Sequence, residues 1–185
     1  RVLAFKYWWT EPTPEGVVDS QYYWTENHTI IFLANEYIAG QLYPDRIFTN
    51  SGMSGRGHMA HAEPLIRQWI EWRARFGFSE WLSDVYVMED VKGVLLLAEH
   101  AADPELARLA AMTMDVLTIE MAAHLHEGML GSTHGRSYMK DKTIGFDQDC
   151  WTMAKIIFGD TDLPYRNVDN GVLIATAQRW RPPEV

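Results

Sequence analysis

The chain has 185 residues, which is long enough for one domain with its own hydrophobic core. It carries 16 lysine and arginine residues against 25 aspartate and glutamate residues, and this net charge of −9 argues against non-specific nucleic-acid binding. The single cysteine, Cys150, excludes an internal disulfide and a cysteine-based zinc cage. No apolar run approaches the roughly 20 residues that cross a bilayer, so we expect no membrane partner.

The two ends of the sequence predict a piece of a larger protein. The chain begins at Arg1 rather than at methionine, and its last five residues, RPPEV, resemble a linker or strand about to continue. We therefore expect one helical domain over residues 1–185, with the rest of its own longer chain as a partner. No signal peptide is present, but an export signal can be removed, and a secreted or periplasmic location is favoured.

The first 25 residues are rich in aromatic residues and proline and show no sustained helical period, which predicts an irregular lead-in. From Asn27 to about Tyr43, apolar residues recur at helical spacing until Pro44. Residues 49–57 (TNSGMSGRG) predict a loop rich in glycine and serine. Pro64 then suits the first turn of a second helix, which stops at Gly77.

The second half of the chain continues the helical pattern. Ser83 or Asp84 can cap a third helix, and Asp103 followed by proline marks the start of a fourth, which runs towards His124 and ends by Gly128. Residues 129–147 predict a long loop, followed by helices near 148–158 and 171–180. Because no strand pattern appears, we predict an all-α fold of antiparallel helical hairpins that forms part of an (α/α) toroid, about half of one by length.

Three polar and aromatic segments interrupt these helices: residues 22–28 (YYWTENH), 77–83 (GFSEWLS) and 133–138 (THGRSY). Flat indole rings such as those of Trp24 and Trp81 can stack on sugar rings. We expect residues 20–28, 77–83 and 129–140 to lie on a common side, as the rim of a cleft that binds a polysaccharide or oligosaccharide.

The run from Tyr23 to His28, followed by Ala39-Gly40-Gln41-Leu42 and Pro44-Asp45, resembles large, poorly characterised bacterial proteins of the six-hairpin toroid type. Residues 77–81 (GFSEW) and 134–136 (HGR) are similar to later signatures of the same group. The Asn27-His28 pair is more remotely similar to the Asn-His element of toroid polysaccharide lyases that act on alginate and chondroitin. This resemblance implies a toroid fold and β-elimination of an acidic glycan.

The residues in the three segments also match the needs of a uronate lyase. Such an enzyme binds the substrate carboxylate, removes the C5 proton with a base and protonates the leaving oxygen with an acid. An amide or a guanidinium can bind the carboxylate, a histidine can act as the base and a tyrosine can act as the acid. The candidates are Asn27 and Arg136 for the carboxylate, His28 or His134 for the base, and Tyr86 or Tyr138 for the acid.

Two alternatives stay open. A glycoside hydrolase needs two carboxylates across the scissile bond, and Glu26 and Glu80, with Asp84 as a third candidate, stand beside aromatic residues at predicted helix entrances. A non-catalytic sugar-binding or scaffold module would use the aromatic residues without chemistry. The three loops favour an enzyme because they concentrate histidine, glutamate, asparagine, arginine and tyrosine.

A metal site and a cofactor are not expected. Glu26 and His28 are two positions apart, so a helix would point them in nearly opposite directions. His58 and His61 flank the predicted glycine-rich loop and are interpreted as solvated. The glycine-rich stretches match neither a phosphate-binding loop nor a dinucleotide fingerprint.

Overall fold

The computed structural model describes residues 1–159, 162–166 and 168–184. In these residues the fold is mostly helical, which confirms the all-α prediction. The helices are α1 (Glu26–Leu42), α2 (Gly55–Phe76), α3 (Tyr86–His100), α4 (Pro104–His124), α5 (Met139–Thr143), α6 (Trp151–Phe158) and α7 (Val168–Thr176). Short 3-10 helices occupy Val2–Ala4 and Gly145–Asp147. None of the described helices has the length and apolar character that a bilayer crossing requires.

Helix α1 lies at the centre of the fold, in contact with both α2 and α3. Its Ile30, Leu33 and Tyr37 are fully buried among apolar side chains of α2, α3 and α4. Helices α3 and α4 are joined by only three residues, so these contacting helices form an antiparallel hairpin. Asp103 begins α4 as predicted, because its side chain accepts a hydrogen bond from the backbone N–H of Glu105.

Glycine allows the central helices to approach closely. A Cβ atom on Gly93 of α3 would lie 2.9 Å from the Ile30 carbonyl oxygen of α1. A Cβ atom on Gly55 would lie 2.7 Å from the Gly40 carbonyl oxygen, so α1 and the start of α2 also meet backbone to backbone. A larger side chain at these positions would push the helices apart.

The predicted start of the second helix was wrong. Helix α2 begins at Gly55, inside the predicted loop, and Pro64 lies in its interior rather than in its first turn. Ser54 supplies the cap, since its hydroxyl oxygen accepts the backbone N–H of Gly57. The glycines in this stretch permit close helix packing. In the sequence alone, however, a run of glycine and serine is typical of a loop.

The predicted loop over residues 129–147 contains regular structure. Strand β1 (Leu125–His126) pairs with β2 (Met129–Leu130) in an antiparallel hairpin. Glu127 and Gly128 form its turn, with φ angles of 50° and 80°. The strands have two residues each, which is too short for an alternating pattern in the sequence. Helix α5 and a 3-10 helix follow within the same region.

The first 25 residues lack an α-helix, as predicted, but they pack against the helices. Tyr7 is buried beside Phe48, with ring centroids 6.0 Å apart, and the Tyr23 ring packs at a tilt against Phe32 of α1, with ring centroids 4.5 Å apart. The Thr49 backbone N–H donates to the Leu3 carbonyl at 2.7 Å. These contacts make the lead-in an integral layer over α1 and the start of α2.

Candidate functional site

The segment between α2 and α3 connects the two other polar segments. Its Ser79 backbone N–H donates to both carboxylate oxygens of Glu26, at 2.8 and 3.1 Å. At its other end, the backbone N–H of Gly135 donates to the Trp81 carbonyl at 2.8 Å. Residues 77–83 therefore contact both the start of α1 and the loop over 131–138, which are far apart in the sequence.

Two further features hold the 131–138 loop against residues 77–85. The Ser83 hydroxyl donates to the Arg136 carbonyl at 2.6 Å and also accepts the Tyr86 backbone N–H at 3.1 Å, at the start of α3. A Cβ atom on Gly135 would lie 2.7 Å from the Trp81 carbonyl oxygen, so only glycine fits that contact. The loop is docked by its backbone, and the Arg136 and Tyr138 side chains remain about half exposed.

Arg136, Tyr86, Tyr138 and Glu80 form a cluster, which we call the Arg136 cluster. The Arg136 guanidinium lies over the Tyr86 ring, 4.5 Å from its centroid, and 3.8 Å from a Glu80 carboxylate oxygen. The Tyr86 and Tyr138 phenolic oxygens are 2.9 Å apart. The Arg136 side chain is 55% exposed, so the positive charge faces solvent.

The environment of Tyr86 keeps its phenol protonated. Burial and the hydrogen bond with Tyr138 raise the pKa of Tyr86 to about 12, although the nearby Arg136 charge acts in the opposite direction. A protonated phenol beside an exposed guanidinium can donate a proton or a hydrogen bond to a ligand oxygen at neutral pH.

His134 belongs to the same docked loop, and its side chain is only 11% exposed. Its Nδ1 is 3.0 Å from the Leu82 carbonyl oxygen and 3.8 Å from a carboxylate oxygen of Asp84. A carbonyl only accepts, so Nδ1 carries the hydrogen, and Nε2 holds the lone pair of the neutral ring. Leu82 has a φ of 50°, an unusual conformation for a branched residue that occurs at functional sites.

Asp84 is fully buried, and burial raises the pKa of its carboxyl group. A fully buried carboxyl group beside His134 differs from the pair of exposed carboxylates that a hydrolase places across its substrate. Glu80, by contrast, is half-buried and lies beside the Arg136 guanidinium.

The start of α1 is arranged around Thr25 rather than Asn27. The Thr25 hydroxyl lies 2.6 Å from Nδ1 of His28 and also accepts the His28 backbone N–H, so Thr25 caps the helix. Asn27 is buried, and its amide oxygen has no hydrogen-bond partner. Trp24 is 75% exposed and makes an edge contact with the exposed Tyr22.

Glu26 is engaged in the interior. Its side chain is 2% exposed and pairs with Arg73 of α2, in addition to accepting the Ser79 backbone N–H. Arg73 is itself mostly buried, and burial lowers the pKa of its guanidinium. The Glu26 carboxylate thus joins α1, α2 and the segment that follows α2.

The structure therefore brings together only part of the predicted site. Glu80, Trp81, Tyr86, His134, Arg136 and Tyr138 meet where residues 77–86 contact the 131–138 loop. Trp24, Asn27 and His28 lie at the start of α1, which connects to that region through Glu26 and Ser79. Trp81 follows Glu80 in the sequence and is 55% exposed, and an exposed indole suits stacking on a sugar ring.

A second polar cluster was missed from the sequence. Glu11, Glu36 and His58 are buried together, and His61 lies at their edge. The prediction that His58 is solvated was therefore wrong. His61 is half-buried, so the same prediction was only partly right for it. The available signal was a glutamate within the apolar pattern of α1 and two histidines three positions apart. It was obscured because Gly55 and Gly57 indicated a loop.

Comparison of the chain with protein-family models, with curated proteins and with solved structures found no match.

Proposed function

We propose that this protein is a carbohydrate-active enzyme that cleaves an acidic polysaccharide by β-elimination. The observation that carries the proposal is the Arg136 cluster, in which an exposed guanidinium lies over a phenol that is hydrogen-bonded to a second phenol. This combination supplies a site for a carboxylate and a proton donor at one surface.

The proposed reaction assigns one task to each group. Arg136 binds the uronate carboxylate in a fork of two N–H donors, which acidifies the C5 proton. Nε2 of His134 takes that proton, because Nδ1–H is held by the Leu82 carbonyl. The released electron pair forms the C4–C5 double bond as the C4–O bond breaks.

Tyr86 then gives its phenolic proton to the departing glycosidic oxygen. The resulting phenolate would be stabilised by the Arg136 charge, which lies over the Tyr86 ring and acts to lower the pKa of its phenol. The phenol is protonated at neutral pH, since even an ordinary tyrosine has a pKa near 10, and a bound substrate would have to lower the raised pKa of Tyr86 for the transfer. Trp81, and Trp24 further along the surface, are proposed to bind neighbouring sugar units by stacking.

The proposal extends to the predicted architecture. We propose that the α1–α4 helices belong to an (α/α) toroid whose loops form the rim of the substrate-binding surface. The central position of α1 between α2 and α3, and the short α3–α4 connection, support this arrangement. The proposed location is secreted or periplasmic, where such polymers are encountered.

The hydrolase alternative has less support from the geometry. One of its two carboxylates, that of Glu26, is buried against Arg73, and the other, that of Glu80, lies beside Arg136. A sugar-binding or scaffold module without catalysis would need the exposed indoles but not the phenol pair.

The test is incubation of the full chain with alginate, polygalacturonate, hyaluronan and chondroitin sulfate, with xylan as the neutral polymer. A lyase produces unsaturated-uronate absorbance together with new reducing ends. Tyr86→Phe should lower that rate by about 10²-fold or more, since a general acid contributes this much. Reducing ends without unsaturation would identify a hydrolase, and polymer binding without either product would identify a sugar-binding module.

A further inference from the structure

A buried polar cluster between the lead-in, α1 and α2 has no part in the proposed reaction. It consists of Glu11 from the lead-in, Glu36 from α1, and His58 and His61 from α2, which we call the Glu11 cluster. One ligand atom each from Glu11, Glu36 and His58 lie within 4.8 Å of one another, and all three residues are buried. Three separate segments of the chain thus place oxygen and nitrogen donors around one point.

The individual distances are close to those of a coordination shell. Nδ1 of His58 is 2.8 Å from Oε1 of Glu36 and 4.0 Å from Oε1 of Glu11. Nδ1 of His61 lies 3.0 and 3.1 Å from the two Glu36 oxygens. In a tetrahedral zinc site with bonds of about 2.1 Å, the ligand atoms are about 3.4 Å apart. Small side-chain rotations would bring these donors to that spacing.

Glu11 supplies an independent sign that something is bound. Its Oε2 accepts hydrogen bonds from the Tyr7 backbone N–H at 3.3 Å and from the Asn50 side chain at 3.1 Å. The side chain is only 6% exposed, and its Oε1 is buried without a hydrogen-bond partner. An unpaired buried carboxylate oxygen is costly, and this one belongs to the atoms that surround the common point.

The cluster also lacks a positive side chain. Among the described residues, no lysine or arginine lies within ion-pair distance of Glu11 or Glu36, and histidines are their only basic neighbours. The two carboxylates, after burial itself, contribute to raising the pKa of the adjacent Tyr7 to about 12. A divalent cation would balance both carboxylates at once.

The surroundings of His58 resemble those of a metal ligand. A coordinating histidine usually donates its other ring N–H to a neighbouring acceptor, which fixes the ring. Nε2 of His58 is 2.7 Å from the Ser51 hydroxyl oxygen, and the ring packs 4.3 Å from the Phe48 ring. With a metal on Nδ1, the hydrogen would reside on Nε2 and be donated to Ser51.

We propose that Glu11, Glu36 and His58 bind a divalent transition-metal ion of the zinc class, with His61 as the fourth ligand at the solvent side. Imidazole nitrogen favours Zn²⁺, Fe²⁺ or Co²⁺ over Ca²⁺ and Mg²⁺, which prefer oxygen-only shells. The site joins the lead-in to α1 and α2, and its role is therefore structural. The His61 side chain, at 32% exposed, provides the entry path.

The experiment uses the full chain, stripped with a chelator, and Zn²⁺ as the probe in calorimetric titration. We expect one Zn²⁺ per chain and a higher melting temperature with Zn²⁺ than with Mg²⁺ or Ca²⁺. Glu11→Gln should weaken Zn²⁺ binding by about 100-fold, since even outer partners of a metal ligand cost about 10–100-fold. Glu15→Gln, on the same segment but exposed, and His126→Gln, an exposed histidine, should bind as the wild type does.

Stability in the two metal states separates coordination from simple packing. Without metal, Glu11→Gln should melt at or above the wild-type temperature, because it removes an unpaired buried charge and keeps the shape and the accepting oxygen. With Zn²⁺, the wild type should be the more stable protein. Absence of one-to-one Zn²⁺ binding, or equal binding by the wild type and a folded Glu11→Gln variant, would overturn the proposal. A variant that is less stable by the same amount in both states would also overturn it.

Discussion

The phenolic oxygens of Tyr86 and Tyr138 lie 2.9 Å apart, although 52 positions separate them in the sequence. Tyr86 begins α3, and Tyr138 precedes α5, so the contact exists only because the 131–138 loop docks on residues 77–85. The Arg136 guanidinium lies over Tyr86 in the same arrangement. The proposed chemistry therefore depends on loop docking as much as on the reacting side chains.

The first prediction concerns carboxylate recognition. Arg136→Lys keeps the charge but loses the planar fork and the contact with the Tyr86 ring. Activity on uronate polymers should fall by about 10–100-fold, which corresponds to a lost charge-assisted hydrogen bond. Binding of a neutral polymer such as xylan, which a lyase does not cleave, should change little; the uronate activity is measured as kcat/KM and the binding of xylan as Kd. Equal losses on both classes would remove the lyase assignment and favour a hydrolase that uses Glu80 and Glu26.

The second prediction identifies the base. His134→Ala should lower the elimination rate by about 10²-fold or more while leaving substrate binding nearly unchanged. His28→Ala removes contacts with Thr25 and the Phe32 ring and should cost about 1–2 kcal/mol of unfolding free energy with a smaller effect on rate. Steady-state kinetics of both variants measure the elimination rate, and urea unfolding measures their stability. Loss of activity in His28→Ala alone would assign the base to His28, and full activity in both would exclude a histidine base.

The third prediction concerns the Glu26–Arg73 pair. Glu26→Gln leaves the mostly buried Arg73 without its counter-charge, so the free energy of unfolding should fall by about 3 kcal/mol. The matched control is Glu71→Gln on α2, because Glu71 pairs with Arg75 where both side chains are more than half exposed. That control should cost less than about 1 kcal/mol. Equal values for the two variants, measured by urea unfolding, would show that Glu26 is free for another role.

The fourth prediction tests loop docking separately from chemistry. Gly135→Ala forces a Cβ atom to within 2.7 Å of the Trp81 carbonyl, so the loop must shift, at a cost of about 1–3 kcal/mol. Gly131→Ala in the same loop meets its nearest side-chain atom at 3.4 Å, an ordinary contact, and should be nearly neutral. Activity should fall in Gly135→Ala because Arg136 and Tyr138 leave Tyr86. Retained activity in a folded Gly135→Ala variant would contradict the proposed site.

The fifth prediction is a loss of stability in alkaline solution. Burial raises the pKa values of Tyr7, Tyr23 and Tyr86 from the ordinary value of 10.0 to about 12. The folded state therefore binds more protons than the unfolded state above pH 10, and the free energy of unfolding falls between pH 10 and about 12. Urea unfolding at several pH values measures the slope, and Tyr86→Phe should reduce it. A flat profile across that range would contradict these shifts.

The sequence by itself determined the helical character of the chain, the bounds of α1 and the start of α4. The apolar repeat after Asn27, the Asp103-Pro104 pair and the absence of an alternating pattern were sufficient, because caps and helical periods depend on residues only a few positions apart. Local composition also identified the exposed indoles of Trp24 and Trp81. The start of α2 was missed, because Gly55 serves contacts with α1 that no local pattern records.

The tertiary structure decided which of the candidate side chains meet. Packing of α1 against α2 and α3 buried Glu26 against Arg73, and it gathered Glu36 and His58 with Glu11 of the lead-in. The residues that meet in these contacts are separated by 22 or more positions in the sequence. Their distances depend on how whole helices pack and on which backbones can approach, and such long-range geometry is absent from the local sequence pattern.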